Sequence, residues 1–160
     1  MVAPTRKQDM FDRVLAQNDV RFHFIAQQYA STSEVLDLYQ EILHQIWKSL
    51  DRFEGRSAPE TWACSIALYT ANAYRRKRLR RAKVLHTYRK NVQSEQKGGR
   101  GEEQILREFV ESLPEVERGL FTLYLTNLSY KEIVEFTDIS EPVLRVRISR
   151  LRNQFEQRYL

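Results

Sequence analysis

Hydrophobic side chains recur at intervals of three and four residues along most of the chain, and this pattern predicts an all-α protein. The segment 31–50 shows it most clearly, with one apolar helical face formed by Val35, Leu38, Tyr39, Ile42, Ile46 and Leu50. Ser33 is expected to cap the start of this helix. Apolar residues between 10 and 30 have similar spacing and predict one or two helices there.

A third helix is predicted from 58 to 82. Ser57 and Glu60 have the spacing of a capping box, in which each side chain accepts a hydrogen bond from the other residue's backbone N–H. Pro59 suits the first turn of such a helix. The core-facing stripe of this helix is expected at Trp62, Ile66, Tyr69 and Ala73.

The polar segment 84–102 contains three glycines and predicts a flexible linker between two small helical domains, 8–83 and 103–160. Ser129 and Glu132 again have capping-box spacing. Two short helices joined by a tight corner have the pattern of a helix-turn-helix. The helices expected in this half of the chain are 102–113, 115–127, 129–137 and 141–160.

The last predicted helix separates apolar from basic side chains. At 100° per residue its buried stripe is expected at Leu144, Ile148, Leu151, Phe155 and Tyr159. The side chains outside that stripe include Val143, Arg145, Val146, Arg147, Ser149 and Arg150. In a helix-turn-helix the second helix enters the major groove, where arginine pairs with guanine or a phosphate through two hydrogen bonds. A solvated charged helix is the alternative interpretation.

Charge is distributed in blocks along the chain, which has a net charge of +5. Residues 75–101 carry 11 basic and 1 acidic side chains, and residues 142–160 carry 5 and 1. Residues 102–141, between them, carry 10 acidic and 3 basic side chains. Two basic surfaces are the electrostatic signature of nucleic-acid binding. Within the first block, the candidates for phosphate contacts are Arg75, Arg76, Arg78 and Arg80.

Catalytic chemistry has little support in the sequence. Cys64 is the one cysteine, which excludes an internal disulfide, and the three histidines have neither metal-ligand nor catalytic-triad spacing. There is no phosphate-binding glycine loop. We expect no enzyme activity and no cofactor. No apolar run is long enough for membrane insertion, and no signal peptide is evident at the start, so a cytoplasmic protein is expected.

The residues of the second half resemble a known family. LPEVERGLFTLYLTNLSYKEIVEFTDISEPVLRVRISRLR, residues 113–152, resembles domain four of extracytoplasmic-function (ECF) sigma factors. Matching positions include Leu113, Pro114, Arg118, Phe121, Ser129, Tyr130, Glu132, Ile133, Arg147, Ser149 and Arg150. Residues 37–81 resemble domain two of the same family, with matches at Asp37, Leu38, Gln40, Glu41, Trp47, Phe53, Gly55, Thr61 and Trp62. The chain departs from the family pattern at Pro59, Tyr69, Ala73, Asn127, Val134, Pro142 and Val143.

The resemblance implies a protein that binds core RNA polymerase and directs it to promoter DNA. It implies polymerase contacts at Asp37, Gln40 and Glu41, which share one helix face. It implies contacts to the minus-ten element at Arg52, Phe53, Arg56 and Ser57, in a loop that captures a flipped base. Domain four is expected to read the minus-thirty-five element, with Tyr130 and Lys131 reaching the DNA backbone. Family members are commonly held inactive by an anti-sigma factor, so such a partner is expected.

Two other functions fit parts of the chain. A DNA-binding regulator that acts without joining polymerase explains the helix-turn-helix, but it leaves residues 37–62 unexplained. A sigma-like protein that binds polymerase or an anti-sigma factor without initiating transcription is the second alternative. Promoter-dependent transcription separates the sigma factor from both.

Overall fold

The computed structural model describes residues 5–88, 101–135 and 137–160, without the side chains of 86–88. These residues form helices and turns and contain no strand, so the all-α prediction is confirmed. The α-helices are α1 (Arg6–Tyr29), α2 (Val35–Ser49), α3 (Pro59–Tyr88), α4 (Glu102–Ser112), α5 (Glu115–Leu125), α6 (Tyr130–Glu135) and α7 (Glu141–Tyr159). Short 3₁₀ turns, Thr32–Glu34 and Leu50–Arg52, flank α2.

Two helix ends differ from the sequence predictions. α3 continues to Tyr88, past the predicted end at 82, because arginine, lysine, leucine and alanine at 75–85 all favour helix. The first positions of the predicted linker are therefore helical, and its positions 89–100 lie outside the described residues. Ser33 does not cap α2; it lies inside the 3₁₀ turn, and Glu34 occupies the cap position without a side-chain hydrogen bond to the backbone of the helix.

Helices α1 and α2 pack against small residues of α3. Phe22 and Ile25 of α1 and Leu38 and Ile42 of α2 are fully buried. The α3 side chains that face them are Ala63, Cys64, Ala67 and Ala71, each fully buried. The predicted stripe on α3 is wrong at Tyr69, which is 72% exposed, and at Ala73, which is also exposed, whereas Trp62 and Ile66 do pack against the core. Small side chains let three helix backbones approach closely, so the bulky residues of α3 lie at the edge of the core.

The same core continues into the second half of the chain. The hydrophobic cluster that holds Phe22 also includes Leu120, Leu123, Leu128, Ile133, Leu144 and Ile148. Gly119 of α5 packs so closely on α3 that an added Cβ would lie 3.2 Å from Leu68 Cδ2. The two predicted domains therefore share one continuous apolar interior. A smaller cluster on the far side of α5 contains Phe109, Val110, Leu113, Phe121 and Leu151.

Two arginines hold backbone carbonyls in this interior. Arg21 of α1 donates from Nε to the Thr126 carbonyl at 3.0 Å, which links α1 to the end of α5. Arg118 is buried and donates from Nε to the Val110 carbonyl at 3.2 Å and from Nη2 to the Leu113 carbonyl. Carbonyls at the end of a helix have no intrahelical partner, so Arg118 satisfies those at the corner between α4 and α5.

The buried thiol of Cys64 should make the stability of the protein fall at alkaline pH. Burial raises its pKa from 9.0 to about 12. Above pH 9 the unfolded chain releases this proton while the folded chain keeps it, so stability falls as pH rises from 9 towards 12. We expect Cys64→Ala to show a shallower loss of stability between pH 9 and 10, measured as urea midpoints.

Tyr29 provides the internal comparison for that measurement. Burial also raises the pKa of Tyr29, from 10.0 to about 12. The loss of stability that Tyr29 causes therefore begins only above pH 10, and it remains in the Cys64→Ala variant. Equal slopes for the two proteins between pH 9 and 10 would contradict the assignment to Cys64.

Candidate nucleic-acid and polymerase interface

The basic half of α3 faces the start of the second domain. Arg76 Nη1 lies 3.1 Å from Glu115 Oε1, and Arg78 Nη2 lies 3.2 Å from Glu111 Oε1. Arg75 Nη2 donates to the Glu111 carbonyl at 3.5 Å. Three of the four predicted phosphate-binding arginines therefore contact α4 or α5. The fourth, Arg80, is exposed. The two glutamates lie in the acidic block at 102–141, but their contacts with α3 were not predicted.

The loop at 52–57 presents one aromatic and two basic side chains. Phe53 packs on Trp62 with ring centroids 5.0 Å apart and is partly exposed. Arg52 is exposed, and Arg56 Nη2 pairs with Glu54 at 2.7 Å. Ser57 is partly buried at the end of the loop. A groove of about 540 Å³ beside the loop is lined by Arg6, Lys7, Met10, Leu50, Phe53, Glu54 and Gly55.

The predicted polymerase residues lie on the outward side of α2. Asp37 and Glu41 line a groove of about 830 Å³ between α2 and α3, and Gln40 is exposed on the same helix. The opposite wall of this groove carries Lys77 and Arg81 together with Arg78, and its lining includes the aromatic residues Tyr69 and Tyr74. Lys77 and Arg81 were not predicted as part of a site, because their position opposite α2 depends on how the two helices pack.

The helix-turn-helix begins with the predicted capping box at α6. Glu132 Oε2 accepts from the Ser129 backbone N–H at 2.7 Å, and Ser129 Oγ accepts from the Glu132 backbone N–H at 3.2 Å. Asn127, just before it, has a left-handed backbone with φ of 60°. Asparagine adopts this conformation more readily than most residues, so the turn forms without the glycine of the family pattern.

The last helix, α7, turns the predicted stripe towards the core. Leu144, Ile148 and Leu151 are buried, and Phe155 and Tyr159 pack edge-on against Phe109. The opposite face is open to solvent: Val143 is 47% exposed, Val146 is 50% exposed, and Ser149 and Arg150 are exposed too. This division of the helix confirms the sequence-based arrangement of side chains.

Three of the remaining candidates of the helix-turn-helix, Tyr130, Arg145 and Arg147, have partners in the structure. Arg145 Nη2 lies 2.6 Å from Glu141, and its guanidinium stands 4.4 Å from the ring centre of Tyr130. Arg147 Nη1 lies 3.8 Å from Glu117 of α5. Lys131 is exposed on α6. Arg145 and Tyr130 thus form one stacked unit at the edge of the exposed face of α7.

The charged faces of the described residues indicate which kinds of partner they suit. In this part of the chain, histidine, cysteine, aspartate and glutamate form no group of three that could hold a metal ion. Its helices also include none with the length and apolar character of a membrane span. Two basic faces and an acidic helix suit a polyanion and a protein partner respectively.

Comparison with protein families gives two matches. The profile of sigma-70 region 2 matches residues 17–81, and that of sigma-70 region 4 matches residues 103–155. Similar curated proteins include the ECF RNA polymerase sigma-E factor of Escherichia coli strain K12, 28% identical over 94% of this chain and 87% of that protein. The sigma-E factor of Haemophilus influenzae is 28% identical over 81% of this chain and 77% of that protein.

Solved structures share the fold. The sigma factor RpoE of Bartonella quintana, crystallised with the anti-sigma factor NepR, superposes with a TM-score of 0.69 at 20% identity, covering 93% of this chain and 95% of that one. CnrH, solved in complex with the cytosolic domain of CnrY, superposes with a TM-score of 0.63 at 19% identity, covering 92% and 85%.

Removing the Ser129 side chain should destabilise the protein, because it breaks the capping box. Ser129→Ala removes the side-chain acceptor for the Glu132 N–H and should lower the free energy of unfolding by about 1 kcal/mol. The matched control is Ser33→Ala, in the 3₁₀ turn just before α2, a helix that has no side-chain cap bond; its effect should stay within about 0.5 kcal/mol. Urea denaturation measures both. Equal losses would contradict a specific role for the box.

Proposed function

The chain belongs to the ECF group of the sigma-70 family, and from this membership we propose that it is an alternative sigma factor that binds core RNA polymerase and directs initiation at promoters. The observation that carries the proposal is the order of the two matched regions, each with a basic helix face, at the two ends of one chain. The proposed activity is binding without catalysis, and no cofactor is involved.

The helix α7 is proposed to read the minus-thirty-five element in the major groove. Its exposed side chains are Val143, Val146, Ser149 and Arg150, and Arg147 lies partly exposed beside them. Arginine suits guanine, and the two valines suit the methyl group of thymine. Arg145, Tyr130 and Lys131 are proposed to contact the DNA backbone. Backbone contacts set the register in which the base contacts are read.

The loop 52–57 and the basic half of α3 are proposed to bind the minus-ten element. Phe53 offers a partly exposed ring on which an unstacked base can lie, and Arg52, Arg56 and Ser57 surround it in the loop. The arginines at 75, 76, 78 and 80 are proposed to neutralise phosphates. Several such contacts make affinity fall steeply with salt concentration.

The acidic face of α2 is proposed as the polymerase contact. Asp37, Gln40 and Glu41 are solvent-accessible on one helix, so a partner can meet all three together. An anti-sigma factor is proposed as a second partner. The similar RpoE of Bartonella quintana was crystallised with one, which supports this proposal.

Run-off transcription tests the proposed function. The purified chain and core polymerase are incubated with a promoter library from the source genome, with core polymerase alone as the control. Promoter-specific transcripts that need the chain are expected, and their sequences supply the recognition code. Binding to core polymerase without transcripts would support a sigma-like partner protein. If the chain neither bound core polymerase nor supported transcription, that result would contradict the roles of Asp37, Gln40 and Glu41.

Arg147→Ala should weaken binding to the upstream promoter element while leaving polymerase binding unchanged. Loss of one arginine contact to a base is expected to cost about 1–3 kcal/mol of promoter affinity. The matched control is Arg158→Ala, which removes the same charge from the last turn of the same helix. Promoter binding by holoenzyme and binding of the chain to core polymerase are measured in parallel. Equal loss of both in Arg147→Ala would argue against its assigned role.

A further inference from the structure

The first turn of α7 carries an acidic residue beside the DNA-binding face proposed above. Glu141 is the first residue of the helix, and its Oε1 accepts from Arg145 Nε at 3.0 Å and from Arg145 Nη2 at 2.6 Å. The two residues are four positions apart, which is the spacing at which oppositely charged side chains pair on a helix. A carboxylate repels phosphates, so by its charge alone Glu141 would weaken DNA binding.

A tyrosine holds the same guanidinium from another side. The guanidinium carbon of Arg145 lies 4.4 Å from the ring centre of Tyr130, at the start of α6. Tyr130 stacks in turn on Tyr124 of α5, with ring centroids 6.2 Å apart and an angle of 24° between the rings. Tyr124 and Tyr130 both pack against the hydrophobic core. The guanidinium is therefore fixed by a carboxylate and by a ring that the core supports.

These contacts leave the end of the guanidinium available to a ligand. Arginine has five N–H donors, and Glu141 uses one on Nε and one on Nη2. The remaining donors lie on Nη1 and Nη2, which form a fork that pairs with a phosphate through two hydrogen bonds. The Arg145 side chain is 58% exposed, whereas that of Glu141 is 33% exposed. The fork can thus meet a ligand while the rest of the group is held.

The position of the pair favours a phosphate as that ligand. With Arg145 at 0° and about 100° per residue, the exposed side chains of Val146 and Arg150 lie at about 100° and 140°, so Arg145 is at the edge of the exposed face of α7. Its partner Tyr130 belongs to α6, and the first helix of a helix-turn-helix crosses the DNA backbone while the second lies in the groove. A guanidinium at the border of the two helices is placed to meet the backbone.

We propose that Glu141 is a positioning residue for DNA binding: together with Tyr130 it holds Arg145 so that the free fork of the guanidinium meets a phosphate beside the minus-thirty-five element. This inference rests on the proposed function for the identity of that element. A long side chain that is ordered before binding loses less rotamer freedom on binding. This gain outweighs the repulsion between Glu141 and the phosphates, because the carboxylate is already paired with a cation.

The sign of the effect of Glu141→Ala tests the proposal. Loss of a negative charge alone should tighten DNA binding, whereas loss of positioning should weaken it about fivefold, which corresponds to about 1 kcal/mol. The affinity of the chain for a fluorescent duplex of random sequence is measured by anisotropy at several salt concentrations. The slope of log affinity against log salt should become shallower by about 0.9, as expected for the loss of one phosphate contact. Tighter or unchanged binding would overturn the proposal.

Three matched variants separate positioning from charge and from helix stability. Glu141→Gln keeps an oxygen that can accept from Arg145 and should retain most of the wild-type affinity. Glu156→Ala removes a charge from the exposed second half of α7 and should not weaken binding. In an Arg145→Ala background, Glu141→Ala should cause no further loss. Equal losses in Glu141→Gln and Glu141→Ala, or in both backgrounds, would overturn the proposal, because they would point to the acidic first turn of the helix instead.

The same variant distinguishes a phosphate from a base edge. Phosphate contacts carry no sequence information, so Glu141→Ala should lose the same factor on random-sequence DNA and on promoter duplexes selected by run-off transcription. A loss confined to the promoter duplexes would overturn the proposal, because it would assign Arg145 to a base.

Run-off transcription with core polymerase separates this inference from the proposed function. If the wild type initiates transcription and Glu141→Ala binds DNA as tightly as the wild type, positioning is overturned and the sigma-factor role stands. If Glu141→Ala binds random-sequence DNA more weakly and no condition gives transcripts, positioning is supported and the proposed function is wrong.

Discussion

The close packing of α1 and α2 on the small-residue face of α3 is the constraint on which the rest of the structure depends. Alanines at 63, 67 and 71 and Cys64 bring three helix backbones together around one apolar interior. This packing fixes the rotation of α3 about its axis. The rotation in turn sends Leu68 towards α5 and directs Arg75, Arg76 and Arg78 towards α4 and α5. The position of the candidate surface on α3 is thus a consequence of where the alanines lie.

The helix-turn-helix was predictable from sequence because its signals are local. The capping box at Ser129 and Glu132 depends on spacing within one turn, and the stripe on α7 depends on periodicity within one helix. Both predictions are confirmed, and so is the family resemblance that followed from residues 37–81 and 113–152. The roles assigned to individual DNA- and polymerase-contacting residues stay predictions.

The stripe on α3 was not predictable in this way. Periodicity alone favours bulky residues such as Trp62 and Tyr69, whereas the packing of three helices on one selects small ones. The contacts between these arginines of α3 and the glutamates could not be predicted from local sequence patterns either, since 33 residues separate Arg78 from Glu111. The alternating basic and acidic blocks of the sequence are consistent with these contacts, because oppositely charged segments form complementary surfaces when their helices pack together.

The length of α3 has a mechanical consequence. Its 30 residues extend about 45 Å, and only its first half is held in the core. Its geometry is that of a lever with its fulcrum at the alanines: a tilt of about 10° at that point would displace the far end, about 30 Å away, by about 5 Å, and the nearer arginines by less.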